Sequence, residues 1–172
     1  MFPPRRIGAL KLWLLVSGLL LGFQTISVAS NISLSESQRD QLVKLLTANS
    51  QARKAFHKLL RDADASLSAP GQPVAHLSTS GRLESDPLKV KSRASLADMK
   101  TLEALGWAYA GTSKSVYAMA ARRIILGWAG INQPNGMPVD ETKLEPLFVA
   151  YDLSRLHPFE MVYRSYHQIF NW

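Results

Sequence analysis

The spacing of apolar residues constrains the fold of this chain more than any other feature. From Asp86 to Leu156, apolar side chains recur every three or four positions rather than every second one, with interruptions near 111–113 and 131–140. This period predicts amphipathic helices that each bury one face. We therefore expect an all-α protein with essentially no sheet between Ser33 and Trp172.

Two short helices are predicted before this stretch, at about 36–48 and 51–66. Ser35 and Gln38 form a capping-box pattern, in which each side chain accepts a hydrogen bond from the other residue's backbone N–H. Asn49 is typical of a helix end that is followed at once by a new helix. On the second helix, the residues expected to face the core are Ala52, Ala55, Phe56, Leu59 and Leu60. Its basic residues, expected to point outward, are Arg53, Lys54, Lys58 and Arg61.

A second capping-box pattern, Ser95-x-x-Asp98, predicts a helix that ends at Gly111, a residue suited to a left-handed C-cap. Ser113 is expected to start the next helix, which runs to Gly130. Alanines on both helices favour close approach as an antiparallel pair. The apolar residues expected in the two stripes are Leu96, Met99, Leu102, Leu105, Trp107, Val116, Met119, Ala120, Ile124, Leu126 and Trp128.

The segments 66–92 and 131–140 lack helical spacing and are interrupted by proline and glycine. The first is predicted to be a long loop, and the second an irregular connection between helices. The basic tail of the long loop contains Lys89, Lys91 and Arg93, which either contact an acidic ligand or are simply solvated.

Two later prolines position the last helices. Pro146 disfavours a helix that begins at Asp140, because an interior proline costs ~3 kcal/mol, so a start at 144–145 is predicted. Pro158 begins a final helix whose aromatic stripe is still running at Trp172. We therefore expect a fragment or a prematurely terminated gene product. The alternative is that this helix closes the domain against the helices already present. The residues expected on the buried side of the helix after 144–145 are Leu147, Phe148, Tyr151 and Leu156.

Residues 1–29 follow the order of a secretory signal peptide, with basic residues, an apolar run at 12–23 and small residues before Ser30. A membrane anchor is the competing interpretation. It is disfavoured because the apolar run is shorter than the roughly 20 residues that span a bilayer. We predict a periplasmic or secreted domain of residues 30–172, with no stable membrane insertion after cleavage.

The charge of the chain limits the classes of partner. Cleavage would remove three of the 20 basic residues and none of the 13 acidic ones, which lowers the formal charge from +7 to +4. This mild surplus fits an anionic polymer as partner, or a solvated surface, and nucleic acid is not expected for an exported chain. The absence of cysteine excludes disulfides and thiolate chemistry.

No metal site and no cofactor are expected, because the histidines do not fall at metal-ligand spacing. The four histidines are His57, His76, His157 and His167. Asp98 and Asp140 are interpreted as capping or turn residues rather than as catalytic acids.

The strongest candidate for a binding site is the amide-rich loop that contains Asn132 and Asn135, followed by Tyr151 and Arg155 on the next helix. Amides, a hydroxyl and a guanidinium at one end of a helical array can bind sugar hydroxyls and carboxylates. We predict that these four residues and Arg93 bind the substrate. The alternative is turn chemistry for the asparagines and a surface salt bridge for Arg155.

Three motifs carry a resemblance to the helical domain of the alginate lyases. They are Ser-Arg-Ala-Ser-Leu-Ala-Asp at 92–98, Gly-Trp-Ala-x-Ile-Asn at 127–132 and Lys-Leu-Glu-Pro-Leu-x-x-Ala-Tyr-Asp-x-x-Arg at 143–155. The resemblance is best from Ser66 to about Leu156. It implies antiparallel helix hairpins that form part of an incomplete (α/α) toroid.

The resemblance also implies an activity, the eliminative cleavage of alginate or a related polyuronate. That chemistry needs a base for the C5 proton, a group that neutralises the sugar carboxylate, and an acid for the O4 leaving group. The family assigns these tasks to an Asn-His pair, an arginine and a tyrosine, and this sequence has no Asn-His pair. We therefore expect this chain to lack the catalytic half, and assign no catalytic residue. The alternative is a non-catalytic module that binds acidic carbohydrate or another helical protein.

Overall fold

The computed structural model describes residues 33–154, which form helices and their connections and contain no strand. The helices are α1 Glu36–Ala48, α2 Ser50–Ala65, α3 Pro87–Ser95, α4 Ala97–Thr112, α5 Ser115–Ile131, α6 Pro138–Glu141 and α7 Glu145–Ser154, with a 3-10 turn at Thr142–Leu144. The prediction of an all-α protein is confirmed for these residues. None of their helices is long and apolar enough to cross a membrane.

Helix α4 lies at the centre, packed against α2, α5 and α7. Its approach to α7 is close because Gly106 has no side chain. A Cβ at this position would lie 3.1 Å from the Cα of Ala150. Burial of each large apolar side chain in this core stabilises the fold by about 1.5–3 kcal/mol. The largest apolar side chains that are almost completely buried are Leu102, Leu105, Ile124, Ile125, Trp128 and Leu153.

Helices α1 and α2 form a hairpin at the edge of this core. The capping box of Ser35 and Gln38 is confirmed, and Asn49 both ends α1 and caps α2 by accepting a hydrogen bond from the Ala52 N–H at 2.9 Å. Of the five residues predicted to face the core on α2, four are partly buried and Ala55 is exposed. Of these four, the side chains of Leu59 and Leu60 pack against the core.

Helix α1 fully buries none of its residues, and it packs against α2 and is joined to α4 by polar contacts. The Arg39 guanidinium donates to the carbonyl oxygens of Ala110, at 3.0 Å, and Tyr109, at 3.3 Å, and to Ser113 Oγ at 2.9 Å. It also lies 5.0 Å from the centre of the Tyr109 ring. Arg39 thereby satisfies the Ala110 carbonyl at the end of α4, and it adds a second bond to the Tyr109 carbonyl, which also accepts from the Ser113 N–H at 2.8 Å.

Two predicted helix boundaries near α4 are wrong. The N-cap of α4 is Leu96, without a side-chain cap, because Ser95 still belongs to α3 and its hydroxyl donates to the Gln72 carbonyl. At the other end, the left-handed C-cap is Ser113, with φ 59°, and Gly111 remains inside the helix. Helix α5 extends to Ile131, one residue beyond the predicted end.

Some residues predicted to be buried are exposed, namely Val116 at 45%, Met119 at 63% and Phe148 at 53%. Val116 and Phe148 lie at the margins of their helices' buried faces, whereas Met119 lies on the side of α5 opposite its buried residues. The segment 66–92 is also not entirely a loop, since Asp86 caps α3 and Pro87 occupies its first turn.

The connection at 131–140 contains the start of the short helix α6, so it is not irregular throughout. The predicted start of the following helix at 144–145 is confirmed, because α7 begins at Glu145. The predicted signal peptide at 1–29 and the predicted final helix from Pro158 lie outside the described residues.

Candidate functional site

The predicted amide-rich loop holds a neighbouring segment in place. Asn132 Nδ2 donates to the Val74 carbonyl at 3.0 Å, and Asn135 Nδ2 donates to the Leu77 carbonyl at 3.1 Å. The backbone N–H of Gln133 donates to a third carbonyl in the same 74–77 segment, at 2.7 Å. Two side-chain amides and one backbone N–H of this loop therefore satisfy carbonyl groups of a segment that belongs to no helix.

Asp140 fixes the next part of that segment. Its carboxylate accepts hydrogen bonds from the backbone and hydroxyl of Thr79, from Ser80 Oγ at 3.0 Å and from Lys143 Nζ at 3.1 Å. Burial by itself raises the pKa of the Asp140 carboxyl. The hydrogen bonds, of which the one from the Thr79 hydroxyl is the strongest, outweigh burial and hold this pKa far below its ordinary value. Asp140 is therefore a buried anchor, and its interpretation as a helix cap is wrong.

Asp98 has a similar role on α4. Its Oδ2 accepts from the Gln72 N–H at 2.5 Å and from Trp128 Nε1 at 2.8 Å, so one carboxylate joins the loop after α2 to α4 and α5. Asp98 is 7% exposed. Its spacing from Leu102 and Leu105 places it on the apolar stripe of α4, a signal in the sequence that a capping interpretation overlooks.

Arg93 lies in a separate cluster on α3. Glu84 forms ion pairs with both Arg93 and Lys89, the latter at 2.7 Å. The hydrogen bond from Lys89 is the largest cause that lowers the pKa of Glu84, followed by that from Arg93. Glu84 therefore neutralises two of the three cations in the predicted basic tail, leaving Lys91 as the exposed cation without a described ion-pair partner.

The structure brings Asn132 and Asn135 together at the 74–77 segment, whereas no hydrogen bond or ion pair among the described residues joins either of them to Arg93. Tyr151 is partly buried against the core on α7. Arg155 lies outside the described residues. Substrate binding by these five residues stays a prediction.

The outward face of α2 carries a group of cations that sequence analysis did not assign to a site. Lys54, Lys58 and Arg61 are all exposed and none forms an ion pair with a described carboxylate. Their i, i+4, i+7 spacing places them within about 60° of one another around the helix, over about 10 Å of its length. We call these three residues the basic face.

An apolar cleft lies beside the basic face, between α1 and α2. Its volume is about 370 Å³ and it is open to solvent. Gly111 allows this arrangement at the end of α4, because the Phe56 ring occupies the space that a Cβ would fill. The residues that line the cleft are Val43, Leu46, Thr47, Arg53, Phe56, His57, Leu60 and Gly111.

Two histidines lie within the described residues. His57 is at the cleft, and His76 Nδ1 lies 3.0 Å from the Gln133 carbonyl oxygen. No group of three or more histidine and acidic side chains suited to a metal ion occurs in residues 33–154. His157 and His167 lie outside this range.

Comparisons with protein-family models, with curated proteins and with solved structures found no match to this chain.

Proposed function

We propose that this chain binds an acidic polysaccharide, alginate or a related polyuronate, in the periplasm or outside the cell. The observation that supports this function best is the basic face of α2. Three exposed cations without described ion-pair partners lie along one helix, where they are free to contact successive carboxylates of a polymer. The mild positive charge of the chain favours the same class of partner.

The basic face is a better binding surface than the predicted one because its charges are not already neutralised. In the predicted basic tail, Glu84 already forms ion pairs with both Lys89 and Arg93. The Asn132 and Asn135 amides are committed to backbone carbonyl groups, which a ligand would have to displace. A polyanion would therefore contact the basic face first, and binding would weaken as salt screens the charges.

The resemblance to the alginate lyases extends the proposal to the architecture and to an enzyme. We propose that the helix pairs α1–α2 and α4–α5 are hairpins of an incomplete (α/α) toroid. The family assigns the base and acid of β-elimination to an Asn-His pair with an arginine and a tyrosine, and this sequence lacks that pair. The helices described above would then contribute binding to an eliminative polysaccharide lyase rather than its chemistry.

Titration of the full chain with mannuronate oligomers at two salt concentrations tests the binding. Each exposed cation contributes about 0.5 kcal/mol, so replacing Lys54, Lys58 and Arg61 with glutamine should weaken binding about tenfold. The matched control replaces Lys91, Lys100 and Lys114, three exposed lysines on other helices and connections, and changes the net charge equally. Equal effects of the two triple variants would show that the basic face is not the site.

An assay for the unsaturated uronate product tests the catalytic part of the proposal. We expect no turnover of alginate or polymannuronate by this chain alone. Robust turnover that is lost on changing His76 or His157 would overturn the proposal that these helices contribute binding rather than chemistry.

A further inference from the structure

We infer that the apolar cleft between α1 and α2 is a binding site for a medium-chain fatty acid. This site is distinct from the basic face in its chemistry. A polyanion needs exposed charge, whereas the walls of the cleft are mainly aliphatic and aromatic carbon from Val43, Leu46, Phe56 and Leu60.

The polar groups of the cleft are too few for a sugar. Thr47 Oγ1 already donates to the Lys44 carbonyl at 2.8 Å. Two donors of Arg53 already bind the Leu46 and Thr47 carbonyls at the end of α1. A sugar ring in the cleft would leave most of its hydroxyl groups without a partner, and this desolvation is costly. An acyl chain has no such groups to satisfy.

The rim of the cleft favours a negative head group. A guanidinium has five N–H donors, so three donors of Arg53 remain after its two bonds to α1. His57 makes no hydrogen bond with a described residue, and Lys54 and Arg61 lie three residues before and four residues after it on the same helix face. A carboxylate at this rim would meet positive charge while its chain lies on apolar walls.

The volume of the cleft suits a small ligand. A volume of about 370 Å³ is near the lower end of the range for small-molecule pockets, about 300–1,000 Å³. One acyl chain with a carboxylate head combines the apolar body, the charge and the size that the cleft requires.

Calorimetric or NMR titration of the full chain with decanoate, below its micelle concentration, tests the site. We expect saturable binding that is at least about tenfold tighter than binding of hexanoate, because the four additional methylenes lie on apolar walls. Decanol lacks the charge and should bind about tenfold more weakly than decanoate. No saturable decanoate binding, or equal binding of decanoate and hexanoate, would overturn the proposal.

Two exposed positions on α1 provide a matched pair of variants. Val43, 40% exposed, lines the cleft, whereas Leu45, 51% exposed, does not. Val43→Glu places a negative charge in an apolar wall of the cleft and should weaken decanoate binding at least about tenfold, while Leu45→Glu should change it less than about twofold. Equal weakening by both variants would refute the location.

A third variant does not depend on the packing of α1. His57 is exposed, so His57→Ala should leave the fold intact, weaken binding of decanoate about threefold and leave binding of decanol unchanged.

Vesicles of anionic phospholipid provide the remaining comparison. Retention of the chain on vesicles with an affinity equal to that for decanoate, and equally lost in Val43→Glu, would identify a membrane as the occupant and overturn the proposal of a free fatty acid.

Discussion

Replacement of Gly111 by alanine should destabilise the protein, although alanine is the better helix former. A Cβ at this position would lie 2.9 Å from Cε2 and 3.1 Å from Cε1 of Phe56, and closer still to Cζ. Overpacking of this kind costs about 1–3 kcal/mol, whereas alanine gains about 1 kcal/mol over glycine inside a helix. The net loss is about 1 kcal/mol, which lowers Tm by about 2–4 °C in a chain of this size.

The same substitution should become stabilising once the ring is removed. In a Phe56→Ala background nothing opposes the gain in helix propensity, so Gly111→Ala should raise the free energy of unfolding by up to about 1 kcal/mol. Urea unfolding of the parent, the two single variants and the double variant measures the coupling energy between positions 56 and 111, which is expected to be about 2 kcal/mol. Gly130→Ala is the control, because a Cβ there meets nothing within 4 Å and should stabilise both backgrounds. A Gly111→Ala effect of the same sign in both backgrounds would refute the close approach of Phe56.

Three further predictions concern separate parts of the chain. Asp98→Ala leaves the buried Trp128 N–H and the partly buried Gln72 N–H without their acceptor. It should lower the free energy of unfolding in urea by about 1–3 kcal/mol, more than Asp98→Asn does; no loss would contradict this anchor. Burial and, to a lesser extent, the hydrogen bond that its hydroxyl donates to Asp64 raise the pKa of Tyr117 from 10.0 to about 12. The folded state therefore keeps this proton longer, and stability on the order of 1–2 kcal/mol should be lost as pH rises from 10 to 12, but not in Tyr117→Phe. Mass spectrometry of the exported product should find an N-terminus near Ser30, and intact residues 1–23 in a membrane fraction would contradict the signal peptide.

The helices could be predicted from sequence because period and capping are local properties. The Ser35–Gln38 box and the start of α7 at Glu145 depend only on neighbouring residues, and both predictions are confirmed. The role of Asp98 could not be predicted in the same way. Its partners, Gln72 and Trp128, lie 26 and 30 residues away, so a capping pattern and a tertiary anchor have the same local sequence.

The cations illustrate the same limit at the candidate site. Lys89 and Arg93 were predicted to form a basic tail, but both lie on α3 and their ion pairs depend on Glu84, which lies five and nine residues earlier, before the helix begins. The basic face of α2 was visible as outward charge. Only the structure shows that Lys54, Lys58 and Arg61 form no ion pair with a described carboxylate and lie beside a cleft.

The shallow attachment of α1 has a consequence for hydrogen exchange. Because α1 buries no residue and depends largely on Arg39 and on the bond of the Ser33 N–H to Asp152, its amides should exchange through an opening that costs far less than global unfolding. That opening removes one wall of the cleft. A ligand that occupies the cleft must therefore slow exchange in α1 by the factor 1 + [L]/Kd, while the amides of α5 keep their own slower rate.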